Sequence, residues 1–385
     1  MRMGSILKKP IREALSCLDK YRDERACRGL YNAKNMMVHD YLSRYQMPLL
    51  KENEKKEIDE FWAQYGIKIH DYSWFRWYYG VTGIVDPRFI PQDIYSYIIW
   101  PFYDNEEFCL AWKDKNLFEK FCPNMPFPHN YIRRINGRYF DEKGNFLNTE
   151  EDVVSVLEKI GGGVIVKDSW DSGEGRGVRK YILDSREKAE KLIREWNHSN
   201  NYLVQELIIQ NQVFSQFNAS SVNIMRINSW RKGNDVKIFS PTLRIGMAGK
   251  DTDICYIDGV ENVKVCAVTM DGRFGDKVID QFGQTRKTKE VVPEPNVVVP
   301  CWNEIIRTIK AGHKQLDHFD IIGWDFTVSE DLKPMCVEYN LKRPGTVFYQ
   351  YVNGPFFGAY TEEVLEFLKK KENQEKWIPQ WMKLK

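Results

Sequence analysis

The sequence predicts an α/β (α+β) fold of two mixed lobes preceded by a helical, aromatic-rich region, and three observations lead there. Between Val164 and Ile208 the chain reads as strand, Gly-rich loop, strand, helix and strand, the order of a small α/β lobe. The C-terminal half alternates strand-like runs (VNIMRINSW, VKIFSPTLRIG, KVCAVTM) with one helix at Trp302–Gln315 and a hairpin-like pair, IIGWDFTV and PMCVEYN. The first hundred or so residues carry helical spacing and then a cluster of rings. A chain of 385 residues is long enough for two or three lobes, each with its own core. The regions expected are 1–108, 109–206 and 207–385.

In the first region Ile6, Leu7, Ile11, Leu15 and Leu18 recur at mixed spacings of three and four, so 5–46 reads as amphipathic helices. From Phe61 to Tyr103 rings accumulate, including Trp62, Trp74, Phe75, Trp77, Tyr78, Tyr79 and Trp100, with turn signals at Gly80, Gly83, Pro87 and Pro91. Aromatic side chains bury large areas, so a core is expected here ahead of a stacking surface for a sugar or base. Lys113 to Phe121 reads as a helix stopped before Pro123, and Asn136–Gly137 as a tight turn. Glu151–Lys159 is a short helix broken by Gly161–Gly163, and Asp184 is expected to cap a helix at Ser185–Asn197, with Glu187 three residues on. A last helix, Thr361–Lys371, leads into a tail where Trp377 and Trp381 stand among lysines. Docking on the body is expected there, since so short a segment would hold a membrane surface weakly.

Composition narrows the partners. Lys+Arg 56 against Asp+Glu 54 leaves a net charge of +2, which argues against a nucleic-acid-coating surface. The eight cysteines are never closer than ten residues apart, so no C-x-x-C spacing exists and reduced, mostly buried thiols are expected. No run approaches 18 apolar residues and the first residues lack a signal-peptide pattern, so a cytoplasmic protein without membrane contact is expected. His313 and His318 are five apart, off the helical metal spacing, and are expected at the surface.

Chemistry concentrates in a few places. Gly173, Gly175 and Gly177 alternate in the polar turn after VIVK, where backbone N–H groups could approach phosphate oxygens, although a flexible hairpin would look the same. No GK[ST] follows, and Val178 spoils the G-x-G-x-x-G spacing. Lys167 ends the apolar strand just before this turn, and Lys115 opens a helical segment after Asp114; either lysine alone could simply be solvated. Glu338 and Asn340 stand at i and i+2 of one strand and so share a face, with Asp325 on the preceding strand of the same hairpin. A carboxylate pair and an amide oxygen are hard donors of the kind magnesium takes alongside nucleotide phosphates.

The order of DKNLFEKF, a strand lysine with its Gly-rich loop, VQEL, SSVNIMRI, IIGWDFTV, CVEYN and Tyr349-Gln350 resembles the ATP-grasp superfamily. It is most similar to the sugar-transfer-associated ATP-grasp family of cell-surface polysaccharide loci, over about residues 30–368. The resemblance implies an ATP-grasp fold in which two lobes grip ATP. Lys115 and Lys167 would contact the phosphates, and the loop Ser169–Gly177 would cover them. Glu206 and Leu207 would form the hinge that meets adenine. Asp325, Glu338 and Asn340 would hold one or two Mg²⁺ ions. Asn223 begins an N-x-x-R in which Arg226 would face the transferred phosphoryl group or the acceptor, a role suited to its planar fork. After the hinge, ELIIQNQVFSQ has no acidic residue where many members hold the ribose, leaving Gln212 or Ser215. Arg244 and Arg343 read equally as structural ion-pair partners.

The function expected is an ATP-dependent carboxylate–amine ligase working through an acyl phosphate, with Lys167 and Arg226 as the catalytic cations and no Ser, Cys or His nucleophile. Its small-molecule partners would be a carboxylate and an amine, among them a nucleotide-sugar or an amino acid, in surface polysaccharide biosynthesis. A kinase acting on a sugar hydroxyl is the alternative on the same scaffold, and a nucleotide-sensing protein without catalysis is a third.

Overall fold

The structure, a computed structural model, describes residues 28, 29, 31–170, 177–250, 252–257 and 260–384. The chain divides into two compact units, one of residues 1–102 with 359–385 and one of residues 103–358.

The first unit is helical. Residues 31–44 form a helix, followed by helices Glu52–Ala63 and Ser73–Thr82. The apolar positions Ile6 to Leu18 lie outside the described residues. The rings make a core: Trp62, Trp74, Trp77, Tyr78 and Trp100 are at most 1 % exposed, and Tyr78 stacks on Phe89 with centroids 5.0 Å apart. Buried indoles need acceptors for their N–H groups, and Trp62 Nε1 donates to Pro87 O at 3.0 Å while Trp74 Nε1 donates to Asn35 Oδ1 at 3.0 Å. The end of the chain belongs to this unit. The last helix is shorter than expected, Thr361–Leu365, and tightens into a 3₁₀ turn at Glu366–Lys369 before a second helix, Lys371–Trp377. Trp377 meets Phe102 edge-on, and Trp381 lies 6.4 Å from Tyr31.

The second unit holds two antiparallel sheets. The first contains β1 (Asn130–Ile135), β2 (Arg138–Asp141), β3 (Phe146–Leu147), β4 (Gly163–Asp168), β5 (Val178–Ile182) and β6 (Tyr202–Glu206), in the order β3-β2-β1-β6-β4-β5. Asn136 and Gly137 both have positive φ, 49° and 78°, as the hairpin turn between β1 and β2 requires. Helices Glu150–Glu158 and Arg186–Trp196 cover one face, where Val164, Val166, Tyr202 and Val204 enter the core. Strand alternation therefore sends Ile165, Lys167 and Gln205 to the opposite face. Thr149 Oγ1 accepts from Asp152 N and caps the first helix. The second helix is capped by Ser185, whose Oγ accepts from Lys188 N, and not by Asp184, whose carboxylate pairs with Lys188 Nζ at 2.6 Å. The cap falls one residue later because the helix begins at Arg186.

The second sheet gathers β7 (Ile224–Lys232), β8 (Asp235–Ile245), β11 (Lys264–Val268), β12 (Phe274–Asp280), β13 (Thr285–Lys287), β14 (Ile321–Val328) and β15 (Pro334–Asn340); β9 (Cys255–Ile257) and β10 (Val260–Asn262) form a separate ribbon. The order is β13-β12-β11-β8-β7-β14-β15. Helix Trp302–His313 lies on one face through Ile305, Ile309 and His313. His313 is therefore fully buried, contrary to the surface position expected from its metal spacing, while His318 is exposed. Ser229 and Trp324 point at this helix, so the alternating residues Arg226 and Asp325 occupy the other face. Of the described thiols Cys109, Cys122, Cys266 and Cys336 are buried and free, and Cys301 is half-buried and free.

Candidate active site

The free faces of the two sheets line a common cleft of about 830 Å³, part of it open to solvent. From the first sheet come Ile165, Lys167, Val178, Gln205 and Glu206, and from the second Ile224, Arg244, Asp325, Val337 and Glu338. Lys115, Ile208 and the turn residues Thr252 and Asp253 complete it.

Local structure explains how the lysines arrive. Asp114 Oδ1 accepts from Asn116 N and starts a 3₁₀ turn at Lys115–Leu117, while Lys115 N donates to Ser169 O at 2.9 Å, tying that turn to the end of β4. Lys115 Nζ thereby comes within 3.5 Å of Glu338 Oε2. Burial pushes the Lys167 ammonium down to about 8, with Glu338 opposing the shift and Lys115 adding to it. Ser169 is fully buried, its N–H donating to Asn201 O and its hydroxyl without a partner among the described residues. Gly177 has φ 68°, and a Cβ there would stand 2.4 Å from Asp168 Oδ2, so this turn needs glycine. Gly173 and Gly175 lie outside the described residues.

At the expected hinge, Glu206 N donates to His129 O at 2.9 Å and Glu206 Oε1 accepts from His129 N at 3.1 Å, so this side chain braces the backbone. β6 ends at Glu206, and the backbone of Leu207 and Ile208 leaves the sheet ladder.

The second sheet places charge densely. Asp325 is 1 % exposed: Arg226 donates from Nε to Oδ1 at 2.5 Å and from Nη2 to Oδ2 at 3.0 Å, and Arg244 Nη2 donates to Oδ2 at 3.0 Å. The two guanidiniums hold the carboxyl down at about 2 against the effect of burial. Asn340 Nδ2 donates to Asp325 Oδ2 at 3.2 Å and Glu338 Oε1 at 3.4 Å, so the three expected metal ligands form one cluster. This donor set suits magnesium at Glu338 and Asn340, which keep acceptor oxygens in hand. Asp325 is differently placed, since its oxygens already accept four donors. Among the described residues no three His, Cys, Asp or Glu gather as a metal cluster.

Of the expected residues that the structure describes, Ser169, Gly177, Leu207, Asn223, Arg226 and Asn340 do not line the cleft. Arg226 lies behind Asp325 with its fork engaged, and Arg244 presents itself in its place. Asn223 is fully buried, its Nδ2 donating to Gln210 Oε1, Phe214 O and Asn218 O, and so it staples a turn. Sequence patterns did not reveal Asp253, whose Oδ2 approaches Arg244 Nε to 2.6 Å. It comes from a turn, where no periodicity marks a side chain as inward.

Removing the Asp325 charge strands two buried arginines. Asp325→Asn is expected to lower stability by about 3 kcal/mol or more, measured by denaturant unfolding, because breaking a buried ion pair leaves an uncompensated charge. A loss below about 1 kcal/mol would show that these arginines find other partners.

The sequence model of the family described as "Sugar-transfer associated ATP-grasp" matches residues 97–364, starting later in the chain than the resemblance suggests. No curated protein matches. D-alanyl-alanine synthetase A from Vibrio cholerae O1 biovar eltor is a structural neighbour at TM-score 0.41 and 12 % identity, covering 67 % of this chain and 66 % of that one. The ATP-grasp ligase PsnB with its minimal precursor gives 0.40 and 12 %, over 69 % and 64 %. The biotin carboxylase domain of Hydrogenobacter thermophilus 2-oxoglutarate carboxylase, in complex with MgADP, ADP and bicarbonate, gives 0.42 and 11 %, over 69 % and 47 %. The chain thus spans less than two thirds of the length of each. No helix among the described residues is long and apolar enough to cross a membrane.

Proposed function

The chain belongs to the sugar-transfer associated ATP-grasp family and has an ATP-grasp fold, and we propose that it is an ATP-dependent carboxylate–amine ligase that forms an amide through an acyl phosphate. The observation that carries this reading is the meeting of Lys115, Lys167 and Arg244 with Asp325 and Glu338 around a single cleft, with Asn340 bonded to both carboxylates.

Each part has a task. Ile165, Val178, Ile224 and Val337 offer apolar walls to a base, and the backbone beyond Glu206, at Leu207 and Ile208, has the donors and acceptors to read its edge. Lys115 and Lys167 offset phosphate charge. A magnesium ion at Glu338 and Asn340 would supply further positive charge to the β and γ phosphates, and Asp325 would join as a ligand only by sharing an oxygen with its arginines. The acceptor carboxylate oxygen attacks the γ phosphorus and ADP leaves. The amine nitrogen then attacks the acyl carbon, phosphate leaves with its bonding pair, and the nitrogen gives up a proton. A carboxylate oxygen leaves poorly and phosphate leaves well, so activation divides one hard step into two.

The family's description supports a sugar-linked acceptor, such as a nucleotide-sugar carboxylate joined to an amino acid or other amine, in the making of a capsule or other surface polysaccharide. The reaction belongs in the cytoplasm, where ATP is supplied. With an ¹⁸O-labelled carboxylate acceptor, released phosphate is expected to carry one label, because that oxygen bridges carbon and phosphorus in the intermediate. A stable phosphorylated product, with unlabelled phosphate and the carboxylate label intact, would make the protein a kinase instead.

A further inference from the structure

Arg244 is 94 % buried, and its two acidic partners are held in different ways. Asp325 belongs to β14 and accepts an aligned bond from Arg244 Nη2 at 3.0 Å. Asp253 approaches Arg244 Nε to 2.6 Å, yet Arg244 Nε and Asp253 Oδ2 are both left without an aligned hydrogen bond. Good charge-assisted bonds need direction as well as proximity, so this contact is electrostatically close and geometrically poor. Both residues line the nucleotide cleft.

Burial disfavours the Asp253 charge most; Arg244 draws it most strongly, Asp325 and Glu338 repel it, and Arg226 adds a smaller attraction. Its backbone lies outside the ladders of the sheet, in a turn joined to the end of β8. That turn is tied through Gly249 N donating to Ser220 Oγ at 2.8 Å and Thr252 Oγ1 donating to Ile254 O at 2.7 Å, neither of which involves the Asp253 side chain. The carboxylate can withdraw without breaking a strand pair.

We propose that Asp253 is an internal stand-in for the oxyanion that Arg244 receives during the reaction, and that an incoming phosphoryl group displaces it from the guanidinium. This rests on the nucleotide-cleft reading above and adds a residue that gates it. An anion approaching along the Nε edge can make the aligned bond that Asp253 does not, and it removes Asp253 from two like charges as it enters. Asp253 is thus a positioning residue: it keeps Arg244 pointed into the cleft before the anion arrives and sets how readily the anion is taken.

Inorganic phosphate is the probe, titrated calorimetrically into the full chain with and without saturating MgADP. Asp253→Asn removes the competing charge and is expected to bind phosphate about tenfold more tightly than wild type. Asp253→Ser guards against a folding defect in the first variant and should behave alike. Arg244→Gln is expected to lose the tight phosphate site. Phosphate affinity in both Asp253 variants equal to or weaker than wild type, with their melting curves intact, would overturn the displacement. Failure of MgADP to bind wild type would instead overturn the nucleotide reading, and the titration without nucleotide would still decide the role of Asp253.

Discussion

Glu338→Gln is expected to slow ATP turnover by a factor of about 10²–10³, the usual consequence of removing one preorganised electrostatic contact from a reacting centre, while moving the melting temperature little. The stability half follows from its surroundings. The Glu338 side chain is 28 % exposed, and its partners are Lys115 at 3.5 Å and one long bond from Asn340. A partly solvated pair of that kind contributes at most about 1 kcal/mol. The activity half follows from charge: Gln keeps the shape and one oxygen but removes the carboxylate that balances Lys115 and Lys167 and that suits a magnesium ion. Steady-state ADP release, read beside a calorimetric melt, separates the two effects. Wild-type turnover in a folded Glu338→Gln protein would take Glu338 out of the phosphoryl-transfer machinery. Asp325→Asn should behave in the opposite way for stability, since its partners are buried arginines.

What could be read from the chain depended on whether the signal was local. Glu338 and Asn340 were legible because i and i+2 on a strand must share a face, and the hairpin brings Asp325 opposite Glu338 in register. The order of β4, β5, the helix Arg186–Trp196 and β6 was legible because these elements occupy one continuous stretch. The Arg244–Asp253 contact was not, since it joins the end of β8 to a turn, and a turn carries no period. Arg226 was expected, from the family resemblance, to face the transferred phosphoryl group or the acceptor; in the fold its fork pairs with Asp325, a contact set by the register of β7 against β14. His313 was misplaced for another reason. Trp302, Ile305, Ile309 and His313 recur at three and four along one helix, so the buried stripe includes the histidine. Weighing that residue only as a metal ligand concealed a pattern that was present in the sequence.

That burial makes His313 the source of a large acid sensitivity. His313 Nε2 faces Phe319 O at 3.0 Å, an atom that can only accept, so Nε2 carries the proton. Nδ1 is then an acceptor, taking the Ser229 hydroxyl at 2.7 Å, and Ser229 Oγ in turn accepts from Trp324 Nε1 at 2.7 Å. Every donor in this chain has an acceptor while the ring is neutral. Protonation would place a second donor against Ser229 and a charge in the core, and burial accordingly pushes His313 down to about 3. An unfolded histidine titrates near 6.5, so the unfolded chain binds more protons between these values, and stability falls with falling pH. The contribution is fully present above about 6.5 and declines by roughly 1.4 kcal/mol per pH unit towards 3. Between pH 6.5 and 5, before most carboxylates titrate, wild type should therefore lose about 2 kcal/mol more than His313→Gln. Taking the difference between the two proteins removes Asp93, a buried carboxyl pushed up to about 6 that acts in the opposite direction. Denaturant unfolding of both proteins across that window measures the difference. Parallel profiles would mean that the folded state accepts a proton at His313, and that the Trp324–Ser229–His313 chain rearranges to hold it.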